Sequence, residues 1–201
     1  MLQQAKRQQR DEQIMLSLDN LTYATRVQLQ VVNNLGGDRN AQRILQRMEK
    51  DGLIKAARYE KKIYYLSNKG KQQIGSNQSD LKKSQIMHAL MRNDLYIKFG
   101  MPADWINENP VKLNGEVFLI PDATYKNGGE YHFIEIDNKQ TMATNIDKIK
   151  KYKELSHVIF KQFNHTPTLV WYTLSNIRKK KLHDLCGKNG LKFVVYGEEL
   201  K

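Results

Sequence analysis

Apolar residues recur at helical spacing in the first part of the chain. Residues 39–50 show this most clearly, because their apolar positions are three and four residues apart and therefore lie on one face of a helix. These positions are Ala41, Ile44, Leu45 and Met48. Two further helices are predicted before it, over about Asp11–Leu18 and over Arg26–Val32, the second with Thr25 as its N-cap. Residues 1–10, which are basic and rich in glutamine, are expected to form a frayed tail or an extension of the first helix.

A short hairpin is predicted directly after the third helix. Asp51-Gly52 ends the helix, Leu53-Ile54 begins a strand, residues 55–62 form a basic tip, and Ile63–Leu66 returns as the second strand. A turn is predicted over Ser67–Gly70. Three helices followed by a two-stranded wing predict a winged helix-turn-helix domain over residues 1–75.

The polar face of the third helix has the chemistry of a DNA-recognition helix. Arginine and lysine neutralise phosphates, and arginine, glutamine and asparagine can contact base edges with two hydrogen bonds. The candidate DNA-binding residues on this helix and on the wing are Asn40, Gln42, Arg43, Gln46, Arg47, Lys50, Arg58, Lys61 and Lys62. Two alternatives remain open, an ordinary solvated helix face and a winged helix that docks proteins.

A polar segment, residues 72–79, predicts a linker and a boundary near residues 75–80. The remainder, residues 80–201, reads as an α/β domain in which helices alternate with strands. The predicted helices and strands are Lys82–Phe99, Glu116–Pro121, Tyr131–Asp137, Thr144–Phe163, Thr168–Leu174, Asn176–Lys188 and Lys192–Tyr196. Asn127-Gly128-Gly129 is a hairpin signal between the first two strands.

Carboxylates stand at the ends of both of these apolar strands. Asp122 follows the first strand, and Glu135 and Asp137 end the second. A dehydrated carboxylate without a partner costs several kcal/mol or more, so carboxylates at the ends of buried strands are expected to have a partner. We expect the three to converge with Lys139 as a metal site for Mg²⁺ or Mn²⁺, with no other cofactor. The alternative is an inactive scaffold in which these acids cap turns or pair with lysines.

The same residues resemble the signature of the PD-(D/E)xK nuclease superfamily. Pro121-Asp122 is similar to its first element and Glu135 to its second. The resemblance implies an α/β sandwich in which both carboxylates hold magnesium and a lysine two residues beyond the second positions the attacking water. That position is Asp137, so Lys139 and Lys148 become the candidates for the lysine role.

Composition bounds the partners and the compartment. The net charge is +12, from 33 basic and 21 acidic residues, which favours nucleic acid as a partner. Cys186 is the single cysteine and is expected in the core, so no disulfide forms within the chain. No apolar run approaches the length of a membrane span, no secretory signal is evident, and a cytoplasmic location is expected.

The basic cluster Arg178–Lys181 is equally consistent with a site that binds phosphate and with a solvated helix end.

Taken together, the chain resembles the replication-relaxation family of plasmids and other mobile elements. The resemblance covers about residues 11–155 and is carried by the segments Met48–Ile54, Tyr64–Gly70, His88–Asp94, Ile120–Tyr125, Phe133–Asp137 and Asp147–Tyr152. It implies a role in plasmid replication and DNA relaxation. We therefore expect a sequence-specific protein that binds double-stranded DNA as a homodimer and works with replication or relaxation proteins. The alternatives are a Mg-dependent nuclease or nickase, and a transcriptional regulator whose second domain binds a ligand or partner.

Overall fold

The computed structural model describes residues 2–138 and 140–198 of the chain. Helices and strands alternate in two compact units, Met1–Asn93 and Asp94–Lys201. This mixed composition confirms the predicted α/β class. Within the described residues, every helix is too short or too polar to cross a bilayer.

The first unit combines helices with a small antiparallel sheet. Its elements are α1 (Leu2–Leu21), β1 (Ala24–Thr25), α2 (Arg26–Val32), α3 (Asp38–Lys50), β2 (Ile54–Arg58), β3 (Lys62–Leu66), α4 (Asn68–Ile74) and α5 (Lys83–Lys98), the last of which crosses into the second unit. The strand order is β1-β3-β2, and both pairings are antiparallel. Helices followed by a hairpin match the order expected for a winged helix-turn-helix, which stays a prediction.

Local signals explain the second and third helices. A capping box starts α2, in which the Thr25 hydroxyl accepts from the Gln28 amide and the Gln28 side chain accepts from the Thr25 amide. In α3 the four apolar positions predicted to face the core are all buried. Burial of one apolar face on a helix this short supplies most of its stability.

Two helical segments extend beyond the helices predicted most clearly from the sequence. Helix α1 starts at Leu2, so residues 2–10 form the helix extension and not the frayed tail that was the other expectation. The residues read as a turn at Ser67–Gly70 instead begin α4, because the Ser67 hydroxyl caps the Gly70 amide at 2.9 Å. A Cβ at Gly70 would lie 2.1 Å from the Leu53 carbonyl oxygen, so only glycine allows this close approach.

The boundary between the units lies farther along the chain than the predicted 75–80. Residues of the polar segment bond back to α1: the Ser76 hydroxyl donates to Asp19 at 2.5 Å, and the Gln78 amide donates to the Asp19 carbonyl at 2.6 Å. The first part of α5 then packs within the same unit, since the buried Asn93 amide donates to the Tyr23 carbonyl at 2.7 Å. These polar contacts, of which the Asn93 bond is buried, carry the first unit on to Asn93.

A five-stranded sheet organises the second unit. Its order is β10-β9-β8-β7-β4, with β8, β9 and β10 parallel and the other pairings antiparallel. A separate two-stranded sheet pairs β5 with β6. The elements are β4 (Ile106–Asn107), β5 (Val111–Leu113), β6 (Glu116–Leu119), β7 (Ala123–Asn127), β8 (Glu130–Asp137), α6 (Met142–Phe163), β9 (Thr168–Thr173), α7 (Asn176–Lys188) and β10 (Lys192–Tyr196).

Strand β7 corrects the pairing expected from the sequence. The segment predicted as a strand over Glu116–Pro121 pairs with β5, and β7 is the strand that forms the hairpin with β8. The turn itself lies where predicted: Gly128 and Gly129 have φ of 59° and 86°, values that suit a two-residue hairpin loop. Strand β7 was not predicted because its sequence contains polar residues. Tertiary contacts bury its first three residues, and the periodicity of the sequence does not show those contacts.

One face of this sheet carries the main core. Residues of α6 and α7 pack there against β8 and β9, and the fully buried Trp171 lies among them. Cys186 belongs to this core, where burial raises the pKa of its thiol to about 12, as expected for a packing residue.

Candidate carboxylate cleft and DNA-binding surface

Strand β8 carries two acids on the face that meets the helices. Because side chains alternate along a strand, Phe133, Glu135 and Asp137 share one face. Phe133 lies in the core with residues of α6 and α7. Glu135 and Asp137 continue the same row, and both are buried, with 1% exposure each. Their partners therefore come from the helices that cover this face.

Glu135 is held by two residues of α6. Lys148 donates from Nζ to Oε2 at 2.5 Å, and the Tyr152 hydroxyl donates to Oε1 at 2.7 Å. Burial, together with the negative charge of Asp122, raises the pKa of Glu135 to about 8, although both hydrogen bonds oppose the shift. The carboxyl group therefore titrates in the neutral range.

Helical spacing explains why both partners reach the same carboxylate. Lys148 and Tyr152 are four residues apart in α6 and so lie on one face of the helix. The Thr141 hydroxyl caps the start of the helix by accepting from the Thr144 amide at 3.2 Å. Burial lowers the pKa of Lys148, but the charges of Glu135 and Asp122 outweigh that effect and raise it. The ammonium therefore stays protonated beside Glu135.

Asp122 lies next to this pair through the pairing of β7 with β8. It immediately precedes β7, whose first residue, Ala123, pairs with Ile134. Its backbone amide donates to the Ile134 carbonyl at 3.0 Å, and its Oδ2 accepts from the Ile136 amide at 2.6 Å. The antiparallel strand β7 thus places Asp122 beside the end of β8. The sequence predicted this neighbourhood, but it placed Asp122 after a strand, whereas the structure places it directly before one.

Asp137 belongs to a different cluster. Arg178, in the first turn of α7, donates to both carboxylate oxygens, with the Nε bond to Oδ2 at 2.6 Å. The Asn145 amide donates to Oδ1 at 2.8 Å. Arg178 also donates to the Gln140 carbonyl at 2.7 Å. The hydrogen bond to Asp137 raises the pKa of Arg178 further. Asp137 is thus neutralised by an arginine.

The predicted three-carboxylate metal site is therefore not formed as expected. In the part of the chain that the structure describes, no three residues of the types His, Cys, Asp and Glu are grouped so as to hold a metal ion. Asp122 and Glu135 are neighbours, whereas Asp137 pairs with Arg178. Lys139 lies outside the described residues. Of the two lysines considered for the nuclease role, Lys148 meets Glu135.

A cleft of about 290 Å³ opens beside Glu135 and Lys148. Its walls come from β6 and the residue after it, and from the first half of α6. The lining residues are Leu119, Ile120, Glu135, Thr144, Asp147, Lys148 and Lys151. Acidic, basic and hydroxyl groups therefore face one volume that is large enough for a phosphate group.

The donor set limits which ion this cleft suits. Mg²⁺ typically binds one or two protein carboxylates and completes its shell with water and substrate phosphate. Asp122 and Glu135 could supply these two carboxylates. The described residues do not provide a cluster of three or more acidic, histidine or cysteine ligands for a site built from protein groups alone. A cation held by Glu135 would compete with the hydrogen bond from Lys148, and an ammonium displaced in this way would be available to an anionic ligand.

The outward face of α3 presents most of the predicted DNA-binding residues to solvent. The exposed ones on the helix and the hairpin are Asn40, Gln42, Arg43, Gln46, Lys50, Arg58, Lys61 and Lys62. Arg43 is oriented by its neighbour, since its Nη2 donates to the Asn40 side chain at 2.9 Å. Lys62 donates to Glu49 at 2.7 Å, which joins the hairpin to α3.

Arg47 differs from the other predicted base-reading residues. It is half-buried and donates a short hydrogen bond to Asp11 of α1, a carboxylate that is only 6% exposed. Its Nε also lies 3.7 Å from Asp51. Arg47 therefore compensates a buried charge in the first unit, a structural role that the polar-face pattern did not reveal.

Three partners of the acids were not identified from the sequence. Tyr152 falls at a position of the apolar stripe of α6, a pattern that by itself indicates packing. Arg178 was read only as part of a basic cluster, and Asn145 was not singled out. The four-residue spacing of Lys148 and Tyr152 is a signal that could have linked them to one carboxylate. The partners of Asp137 lie on two different helices, so no local spacing indicates them.

The comparison with protein families assigns the chain. A family model described as replication-relaxation matches residues 15–169, well over half of the sequence. No curated protein and no solved structure matched the chain. The match spans α2 and α3, the hairpin, Asp122, β8 and Lys148, so both candidate sites lie within it. The chain therefore belongs to the replication-relaxation family.

Proposed function

We propose that the first unit binds double-stranded DNA in a sequence-specific manner through the exposed face of α3. One observation carries the proposal: α3 buries all four of its apolar positions and turns amide and basic side chains outward, directly before a hairpin with exposed basic residues. A helix of this kind fits the major groove, and the hairpin suits the adjacent phosphates.

The residues divide by their chemistry. Gln42, Arg43 and Gln46 are the base-reading candidates, because their side chains offer paired hydrogen-bonding groups to base edges. The phosphate-binding candidates are Lys50, Arg58, Lys61 and Lys62. Arg47 leaves the base-reading set because Asp11 holds it.

Family membership points to replication or DNA relaxation in plasmids or other mobile elements as the setting of this binding. We propose that two copies bind inverted half-sites, the arrangement usual for helix-turn-helix dimers. Replication or relaxation proteins are then the expected partners of the bound complex. The stoichiometry on one duplex, measured by light scattering, tests the dimer.

Selection from a random duplex library tests the DNA-binding proposal. Wild-type protein is expected to enrich one motif, and Arg43→Gln to lose preference at one base position while it retains non-specific affinity. Lys188→Gln, an exposed change in the second unit, is the matched control. Enrichment of no motif by the wild type, or the same motif with equal affinity for Arg43→Gln, contradicts the proposal.

A second candidate function is metal-dependent DNA cleavage in the second unit. The supporting observation is the cleft in which Lys148 contacts Glu135 beside Asp122. Asp122 and Glu135 would hold Mg²⁺ or Mn²⁺, an ion that polarises a phosphate and lowers the pKa of a bound water. Lys148, once released from Glu135, would hold the phosphate or orient the water, and Tyr152 would fix the position of Glu135.

Calorimetric titration of Mn²⁺ and Mg²⁺ tests this candidate. Wild-type protein and Asp147→Asn, a control at an exposed cleft residue, are expected to bind the ion, and Asp122→Ala/Glu135→Ala to lose binding. Nicking of supercoiled plasmid by the same three proteins then separates catalysis from a contaminating nuclease. Equal nicking by the double variant assigns the activity to a contaminant.

A further inference from the structure

The first turns of α1 form a helical segment whose residues are exposed to solvent. Residues 2–9 are all exposed, although the helix continues without a break into a buried portion that contains Ile14, Met15 and Leu18. A polar helix of two turns is not stable alone in water. Residues 2–10, which we call the arm, are therefore held helical by the rest of α1 and by contacts to α3.

The arm carries charge of one sign. It contains Lys6, Arg7 and Arg10, four glutamines and no acidic residue. Arg10 is partly buried, and its Nε lies 3.9 Å from Asp11, the residue that follows the arm. Its two apolar residues, Leu2 and Ala5, do not make an apolar face, so the segment lacks what an interfacial membrane helix requires. A basic, glutamine-rich helix complements a polyanion.

Ion pairs fix the arm to the end of α3. Arg7 donates from Nη2 to Asp51 at 2.8 Å, and Asp51 is the C-cap of α3. One turn farther along α1, Asp11 accepts from Arg47 of α3. Both contacts join α1 to the last turn of the helix whose outward face carries Gln46 and Lys50. The arm is therefore positioned relative to the proposed DNA-reading surface.

We propose that the arm contacts the phosphate backbone of the DNA duplex that α3 reads, with Lys6 and Arg10 as its phosphate ligands. This inference rests on the DNA-binding function proposed for the first unit. Arg7 acts differently, because its pair with Asp51 holds the arm against α3. The arm adds affinity without base preference, since phosphate contacts carry no sequence information.

Salt dependence of binding tests the arm. The full chain is titrated onto a mixed-sequence duplex and, separately, onto its selected duplex, by fluorescence anisotropy between 50 and 200 mM salt. Removal of one phosphate-binding cation reduces the slope of log K against log salt by about 0.9. Lys6→Gln/Arg10→Gln is therefore expected to reduce the slope by about 1.8 on both duplexes, with base preference unchanged. Lys112→Gln/Lys188→Gln removes the same charge from exposed positions of the second unit and is the matched control.

The outcomes separate the arm from the function on which it rests. If Lys6→Gln/Arg10→Gln keeps the wild-type salt slope, or if the control variant loses as much, the arm does not contact the phosphates. DNA binding through α3 is not contradicted by either result. Absence of DNA binding by the wild type overturns both. The single change Lys6→Gln, at a fully exposed position, keeps the test valid if the double variant unfolds, and its expected decrease is about 0.9.

Discussion

The Nζ of Lys148 lies 2.5 Å from Oε2 of Glu135, and this contact joins a helix to the end of a central strand. The lysine comes from α6, whereas the nuclease pattern places it on the strand itself, where this chain has Asp137. A lysine side chain is long enough to reach a strand end from the following helix. The acid and the lysine of the proposed metal site therefore come from two different elements.

Glu135 makes stability depend on pH in a defined direction. Its pKa is about 8 in the folded chain against 4.5 ordinarily, so the folded state binds the extra proton. The contribution of this protonation to the free energy of unfolding is fully present below pH 4.5 and is lost as pH rises through 8. Between these values the free energy of unfolding falls by at most about 1.4 kcal/mol per pH unit. Glu135→Gln is expected to remove the slope. Urea unfolding of both proteins from pH 5 to 8 measures it, with Asp147→Asn as control; parallel curves would refute the assignment.

Arg178 is expected to be essential for stability through Asp137. Arg178→Gln leaves a buried carboxylate without its cation, at a cost of about 3–5 kcal/mol in the free energy of unfolding. The double change Asp137→Asn/Arg178→Gln should recover part of that loss, because no charge is then left buried. Denaturant unfolding checks both. Lys180→Gln, an exposed neighbour, should stay within about 0.5 kcal/mol of the wild type; a loss equal to that of Arg178→Gln would mean that the helix end, and not the pair, is responsible.

Two arginines of α3, Arg43 and Arg47, are expected to separate folding from DNA binding. Arg47→Gln should lower the free energy of unfolding by about 1–3 kcal/mol, because the buried Asp11 loses a charged hydrogen bond. Arg43→Gln should leave stability within about 0.5 kcal/mol and weaken specific DNA binding by about 1–3 kcal/mol. Unfolding curves and anisotropy titrations distinguish the two effects. Reversed outcomes would return Arg47 to the base-reading set.

Gly70 offers a test of backbone packing in the first unit. Gly70→Ala places a Cβ 2.1 Å from the Leu53 carbonyl oxygen, and the required backbone shift should cost about 1–3 kcal/mol. Gly187→Ala is the matched control, since it lies in helix α7 with open space around its Cβ and should stabilise by about 0.5–1 kcal/mol. Thermal or urea unfolding measures both changes. Equal behaviour of the two variants would contradict the close approach.

Local sequence was sufficient where a helix or strand is specified by its own residues. The span of α2 follows from the Thr25–Gln28 cap, and the buried face of α3 follows from its spacing of apolar residues. Both were predicted correctly, as was the glycine turn before β8. For the arm of α1 the sequence left a frayed tail and a helix extension open, because its residues carry no apolar stripe and depend on contacts elsewhere.

Sequence alone determined the mixed α/β composition, the buried face of α3 and the presence of acids at the end of β8. Tertiary structure alone decided the partners of those acids. Lys148 meets Glu135, and Arg178 meets Asp137 from 41 residues away. The physical reason is that caps and periodicity act within a few residues, whereas the pairing of buried charges depends on which helices cover a strand. The packing of α6 and α7 on β8 therefore settled which cation each carboxylate received.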